Sequence, residues 1–267
     1  MNYIILCASL MLLSLGVRSQ PAVEIEGAIT IGNSSNFTPT AGSIRWSGTD
    51  FEGFDGTSWV SLTGKPVIGT VVDVDGNEYS TVEVGGDMWM AENLRVQRFN
   101  NGDIISRVPD PAIWVSLIGP GYASYNNDAF LDEDYGLLYN GFTVIDSRNI
   151  CPIGWHIPSS VELSTLLDEL GGPAVAGGFL KEFGNEFWLE PNIGGHNSSG
   201  MSLRGAGLRD NNNLAEFSGF REASVVWSST RNGDDEIPVI ALTRATSVVP
   251  ELPGNLRNGF SVRCVQD

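Results

Sequence analysis

The sequence predicts an α+β fold: a loop-rich set of short antiparallel strands with one or two helices and one long-range disulfide, preceded by a small β module. Three observations predict it. The first is composition, since 32 glycines, 13 prolines and seven tryptophans among 267 residues are the makeup of a turn-rich β protein. The second is one well-marked helix between Ser159 and Gly171. The third is the cysteine pair Cys151 and Cys264, which remains once an N-terminal export segment is set aside.

Residues 1–19 read as that export segment. Ile4 to Leu15 forms a short apolar core, and Gly16-Val17-Arg18-Ser19 supplies a cleavage region before Gln20. The segment has no Lys or Arg ahead of its core, and Cys7 lacks the small-residue context of a lipoprotein site. The core is too short to span a bilayer, and no later stretch is long and apolar enough to do so. The expected product is exported and has no transmembrane segment, whether it ends periplasmic, on the cell surface or secreted. The formal charge of −17 becomes −18 without Arg18, the one charged residue of the export segment. Such a surface repels phosphate backbones, which excludes nucleic acid as a natural partner.

Residues 20–64 carry few helical signals. Ser47 to Asp50 and Asp55-Gly56 are turn signals that separate three short strands. The stretch resembles the short β modules of phage tail-fibre-like and bacterial surface proteins. That resemblance implies self-association into a homo-oligomer, and a monomeric stalk packed on the main domain is the alternative. Lys65-Pro66 marks the boundary to the domain 65–267. Beyond it the chain alternates on both sides of Asp75-Gly76, a hairpin signal. Asp73, Asp75 and Glu83 do not make an EF-hand, because Val71 and Val82 stand where oxygen ligands are required.

The helix follows from local chemistry. Ser159 is an N-cap, and Glu162 completes a capping box. Leu163, Leu166, Leu167 and Leu170 share one face, and Gly171 supplies the left-handed C-terminal cap. Export places Cys151 and Cys264 in an oxidising compartment as an even pair, which favours a disulfide over two separate buried thiols. Phe260, Val262 and Cys264 alternate on one face of a last strand. Ser224–Ser229 and Val239–Ala245 read as strands before it. Residues 184–222, rich in Gly and Asn, read as a long functional loop region.

Several stretches carry a resemblance. They are Trp89 to Leu94 (WMAENL), Tyr135 to Asn140 (YGLLYN), Cys151 to Pro158 (CPIGWHIP), Gly177 to Glu182 (GGFLKE), Trp188 with Pro191-Asn192, Asn197 to Gly200, Trp227 to Thr230, and Gly259 to Val265. In order and spacing, residues 66–267 resemble the Fibrobacter succinogenes major paralogous domain family, common in secreted proteins of Bacteroidetes. The chain departs from the family pattern at Leu203-Arg204-Gly205-Ala206-Gly207, where Leu-Pro-Gly-Gly is usual, and at Gly141, where an aromatic is common. The pattern is also similar to C-type-lectin-like and formylglycine-generating-enzyme-like domains. There a Cys-Pro-x-Gly-Trp entry to a helix is tied to a terminal Arg-Cys strand. The family supplies no established activity.

Candidate chemistry concentrates in the loops. Glu190-Pro191-Asn192 resembles the sugar motif of calcium-dependent lectins, which makes Glu190, Asn192 and Asp210 candidate metal ligands, with Asn197, Asn211, Asn212, Asn213 and Glu216 as companions. Calcium needs six or more oxygens, the Trp-Asn-Asp partner motif is absent, and Pro191-Asn192 also belongs to the family pattern, so loop architecture is the competing reading and no cofactor is required. Trp89, Trp155 and Trp227 read as core, while Trp188 and Trp114 are the candidates for exposed sugar stacking. His156 and His196 lack metal-ligand spacing. A bonded Cys151 cannot act as a nucleophile beside His156, and Ser198 and Ser199 lie in no nucleophile elbow. Formylglycine-generating chemistry needs a nearby cysteine pair that is missing. The expected function is a non-catalytic binding module that presents loops 184–222, with Trp188, Glu190, Asn192, Asn197 and Trp114 as contacts, to a glycan or surface protein. The alternative is a structural or assembly protein of the cell surface.

Overall fold

The structure, a computed structural model, describes residues 38–46, 51–54, 59–61, 69–211 and 214–267. The export segment, the boundary at Lys65-Pro66, and Asn212 and Asn213 lie outside the described residues. Strands β1 (Ile44–Trp46), β2 (Phe51–Phe54) and β3 (Trp59–Ser61) form an antiparallel meander at the places the turn signals separate.

The next hairpin joins β4 (Gly69–Val72) to β5 (Glu78–Val84). Its turn is organised by Asp73. That carboxylate accepts from the amides of Asp75 at 2.9 Å and Asn77 at 3.0 Å, and from the Tyr79 hydroxyl at 2.7 Å. Its lone pairs close the turn, the role short acidic side chains take in Asx turns. After β6 (Asp87–Met90) come β7 (Ser106–Arg107), helix α1 (Pro111–Ser116), β8 (Gly121–Ala123), α2 (Asp132–Tyr135), β9 (Leu138–Asn140) and α3 (Gly141–Val144). Asp110 caps α1 through the amides of Ala112 and Ile113, and Asn140 caps α3 through that of Thr143.

Strand β10 (Trp155–His156) leads into α4 (Ser160–Glu169), the helix the sequence predicts. The Ser159 hydroxyl accepts from the Glu162 amide at 3.2 Å, and Glu162 accepts from the Ser159 amide at 2.7 Å. Leu163, Leu166, Leu167 and Leu170 are all buried. Gly171 and Gly172 have φ of +89° and +92°, and their amides bond the carbonyls of Asp168 and Leu167. This paired closure is a Schellman motif. The other four helices, among the described residues, run four to six residues, ending with α5 (Ala176–Leu180).

The chain finishes with β11 (Ala206–Asp210), β12 (Glu216–Phe220), β13 (Ala223–Trp227), β14 (Glu236–Thr243), β15 (Glu251–Asn255), β16 (Gly259–Phe260) and β17 (Val265–Gln266). The protein is thus mostly β-sheet with a few short helices. One sheet has the order β10-β17-β6-β5-β4, and another has β15-β14-β13-β11-β16-β9-β8-β7 with β12 attached to β11.

Two sequence expectations need correction. Residues 184–222 are not one loop, because β11 is a central strand of the larger sheet and β12 its hairpin partner. Its sequence AGLRD shows no alternation, for two faces pack against different neighbours. Gly207, at φ +69°, lies where a Cβ would come within 2.6 Å of the Tyr125 ring and the Ser218 carbonyl. The C-terminal segment is also not one strand with one inward face. Ser261, Arg263 and Val265 are buried along with Phe260, Val262 and Cys264. The segment crosses from the larger sheet to the smaller one, receiving amides from Trp227, Leu94 and Met90 on the way.

Cys264 on this segment is bonded to Cys151, with Cα atoms 5.9 Å apart and a sequence separation of 113. In the chain-entropy model a loop of that length is worth about 5 kcal/mol, as an upper figure. Trp89, Trp155 and Trp227 are buried in the two main clusters, and the Trp227 indole N–H donates to the Tyr139 carbonyl at 2.8 Å.

Candidate functional site

The candidate stacking residues are not on the surface. Trp188 is fully buried and donates its indole N–H to the Leu203 carbonyl at 2.9 Å. Trp114 is equally enclosed, bonded to the Arg257 carbonyl at 2.6 Å and covered by the Arg209 guanidinium 4.3 Å from its ring. Trp188 stands in irregular chain and Trp114 on the short helix α1, yet the indole has more area to bury than any other side chain and finds a carbonyl for its polar edge.

The candidate calcium ligands do not converge. Glu190 is exposed and accepts from the Asn185 amide at 3.0 Å. Asn192 is buried and turned inward, donating to the carbonyls of Glu182 at 3.0 Å and Gly184 at 2.8 Å. Its Oδ1 is enclosed without a hydrogen-bond partner, a single oxygen where calcium needs six or more. Asn197 holds a tight turn through Ser202, its carboxamide donating to the hydroxyl and accepting from the amide, both at 2.8 Å. Asp210 lies on β11 opposite Glu216 of β12. Among the described residues, no three His, Cys, Asp or Glu side chains are grouped to hold a metal ion. Within Glu190-Pro191-Asn192, the Glu190 and Asn192 side chains make hydrogen bonds to neighbouring loop residues.

What shapes these loops is a set of three buried cations, each bonded to backbone carbonyls. Lys181 Nζ donates to Ile193 at 2.8 Å, Thr246 at 2.9 Å and Thr243 at 3.0 Å. Arg209 donates to the carbonyls of Ala215, Val108 and Pro109. Arg263 donates to the carbonyls of Met90, Met201 and Ser202 and, through Nε at 2.7 Å, to Asn93 Oδ1. Burial pulls the pKa of Lys181 down to about 8, of Arg209 to about 10 and of Arg263 to about 9. A cation of this kind supplies donors in several directions to carbonyls that no ladder satisfies.

Arg263 lies at the base of a polar cleft of about 250 Å³, lined also by Glu92, Asn93, Glu133, Asp134, Glu182, Ser202 and Arg204. Glu92 is fixed at both oxygens, by the Ser80 amide at 2.8 Å and by Arg95 at 3.2 Å. Arg204 bonds both the carbonyl of Asp134 and its carboxylate, at 2.9 Å and 3.0 Å. Glu182 is held loosely, with Arg204 Nε at 3.7 Å and Asn197 Nδ2 at 3.5 Å. Its carboxylate retains capacity for a ligand, as does the terminal guanidinium of Arg204.

Sequence reading passed over these residues because they come from five distant places in the chain. One signal is present: Arg263 is a single charge between Val262 and Cys264-Val265. Away from the cleft, His156 contacts Asp267 at 2.7 Å through Nδ1 and Glu162 at 2.9 Å through Nε2. Burial opposes its charge, but the hydrogen bonds to Glu162 and Asp267 outweigh burial and raise its pKa.

The model of the Fibrobacter succinogenes major domain matches residues 82–266. The chain belongs to that family. No curated protein and no solved structure matches it. The family match starts within β5 and ends within β17, so it contains the disulfide and nearly the whole cleft, while β1–β3 precede it. Four of the stretches by which this Fibrobacter succinogenes major domain resembles its relatives meet at the cleft: Glu92 and Asn93, Glu182, Gly200, and Arg263. No helix among the described residues is long and apolar enough to cross a membrane.

Proposed function

We propose that the protein is an exported, non-catalytic binding module with a lectin-like arrangement, and that its cleft holds part of a glycan. The observation that carries this reading is the convergence of Glu92, Glu182, Arg204 and Arg263 on one polar cavity. Carboxylate and guanidinium groups side by side suit vicinal hydroxyls, which accept from one and donate to the other. Glu92 and Asp134 are each tied to an arginine, the state of a rigid binding wall. Phe183, next in chain to Glu182, is 72% exposed and offers an apolar ring face to solvent. Within residues 184–222, Gly200, Ser202 and Arg204 line the cleft, and the Trp188 indole is bonded to the intervening Leu203 carbonyl.

The test is a thermal-shift screen of the mature protein against bacterial and plant glycans, with calcium and again with chelator. A saccharide-induced rise in melting temperature that persists in chelator is the expected result. A rise that vanishes with chelator would return the argument to Glu190 and Asn192. No rise with any glycan would overturn the reading.

A second reading, a self-assembling surface protein, is favoured by one observation. Among the described residues, β1, β2 and β3 form a three-stranded sheet separate from the two larger ones, and so small a sheet needs a partner surface to be stable. A monomeric mass by light scattering, for the mature chain, would remove it.

A further inference from the structure

We propose that a row of half-buried aromatic rings beside the cleft is a track for an extended, uncharged oligosaccharide, one end of which sits in the cleft. The proposal rests on the reading of the cleft as a glycan site.

The row begins at the cleft wall, where the Arg204 guanidinium lies 3.6 Å above the Phe187 ring. Phe187 is followed by Tyr135 at 5.9 Å, then Phe220 at 4.8 Å, Tyr125 at 4.8 Å and Phe217 at 5.4 Å between ring centres. Phe217 lines a second recess of about 300 Å³ together with Asn126, Asn127 and Glu216. Of the five rings only Tyr135 is buried. Trp114, Trp188 and Trp227 are at 1% exposure or less, whereas these four rings are half-buried, with Phe187 and Phe217 resting one side on the core. They are carried by β12 and its neighbours, and among the described residues β12 pairs with β11 alone.

Charge and texture select the occupant. Aromatic rows bind single-stranded nucleic acid when a positive groove tracks the phosphates, but this chain carries −17. A lipid or an apolar helix needs a continuous apolar patch. Here exposed Glu216, Ser218 and Asn126 interrupt the rings. A neutral saccharide chain presents C–H faces and hydroxyl edges in alternation, which matches rings flanked by carboxylate, hydroxyl and carboxamide groups.

The experiment is calorimetric titration of the mature chain with unbranched gluco-oligosaccharides and xylo-oligosaccharides, from dimer to hexamer. Affinity is expected to rise with length, roughly tenfold from dimer to hexamer. Phe217→Ala is expected to bring the hexamer down to the affinity of the dimer. Phe217→Leu, which keeps apolar volume beneath the hairpin, is expected to do the same with the melting temperature unchanged. Length-independent affinity, or wild-type length dependence in Phe217→Leu, overturns the track and leaves the cleft standing. Absence of binding at every length in both series overturns the track and the glycan reading of the cleft together.

Discussion

Replacing Lys181 by methionine tests whether buried cations hold the irregular part of this fold. The side chain is fully buried, and Nζ donates to three carbonyls between 2.8 and 3.0 Å. Methionine fills a similar volume and brings no donor. The Ile193 carbonyl keeps the Ser247 hydroxyl at 3.2 Å. Each of the other two costs roughly 1–3 kcal/mol once orphaned, so the pair costs about 4 kcal/mol. Against this stands the relief of removing a buried charge. Desolvation lowers the Lys181 pKa from 10.5 to about 8, equivalent to about 3 kcal/mol of charging cost. The net expectation for Lys181→Met is a loss of about 1 kcal/mol. Urea unfolding at neutral pH with the disulfide intact reads it directly, as a lower midpoint at unchanged slope. A variant as stable as wild type would show that the carbonyls find other donors, and the argument would fail for Arg209 and Arg263 as well.

Other outcomes follow from the same structure. Reducing Cys151–Cys264 frees a loop spanning 113 positions and should destabilise the domain by up to about 5 kcal/mol, seen as a fall in melting temperature with reductant. Because the His156 pKa is raised in the fold, its contribution is complete below the unfolded value of about 6.5 and is lost as pH climbs through the folded value. Stability should therefore decline from about pH 6.5 upward, and His156→Gln should flatten that decline. An unchanged slope in the variant would assign the pH dependence to other groups. Chelator should leave the melting temperature of the free protein where it is, since Glu190, Asn192 and Asp210 do not converge; a fall would restore the calcium site.

What the sequence discloses about this fold is local. The capping box at Ser159 and Glu162, the leucine face of α4 and the glycine closure at Gly171 are all set within a dozen residues, and each is found in place. The hairpin around Asp75-Gly76 and the cysteine pair are similarly legible. The burial of Trp188 and Trp114 is not legible because loop-like composition says nothing about burial, and Trp114 turns out to face the core from the short helix α1. Here irregular chain is drawn into the interior by Lys181 and Arg209, through bonds to carbonyls that leave no periodic trace. Strand β11 was hidden for a related reason: both its faces are covered, and Gly207 takes a left-handed conformation inside it. The cleft is the least legible part. Glu92, Asp134, Glu182, Arg204 and Arg263 share a cavity only because the C-terminal segment crosses between two sheets.

The central claim is that this cleft is the binding site. Backbone amide shifts of isotope-labelled mature protein, titrated with the tightest oligosaccharide from the glycan screen, test it most directly. The account predicts that the largest changes fall at Glu92–Asn93, Glu133–Asp134, Glu182 and Gly200–Arg204. Changes centred on Glu190–Asn192 or on β1–β3, with the cleft amides unmoved, would contradict it.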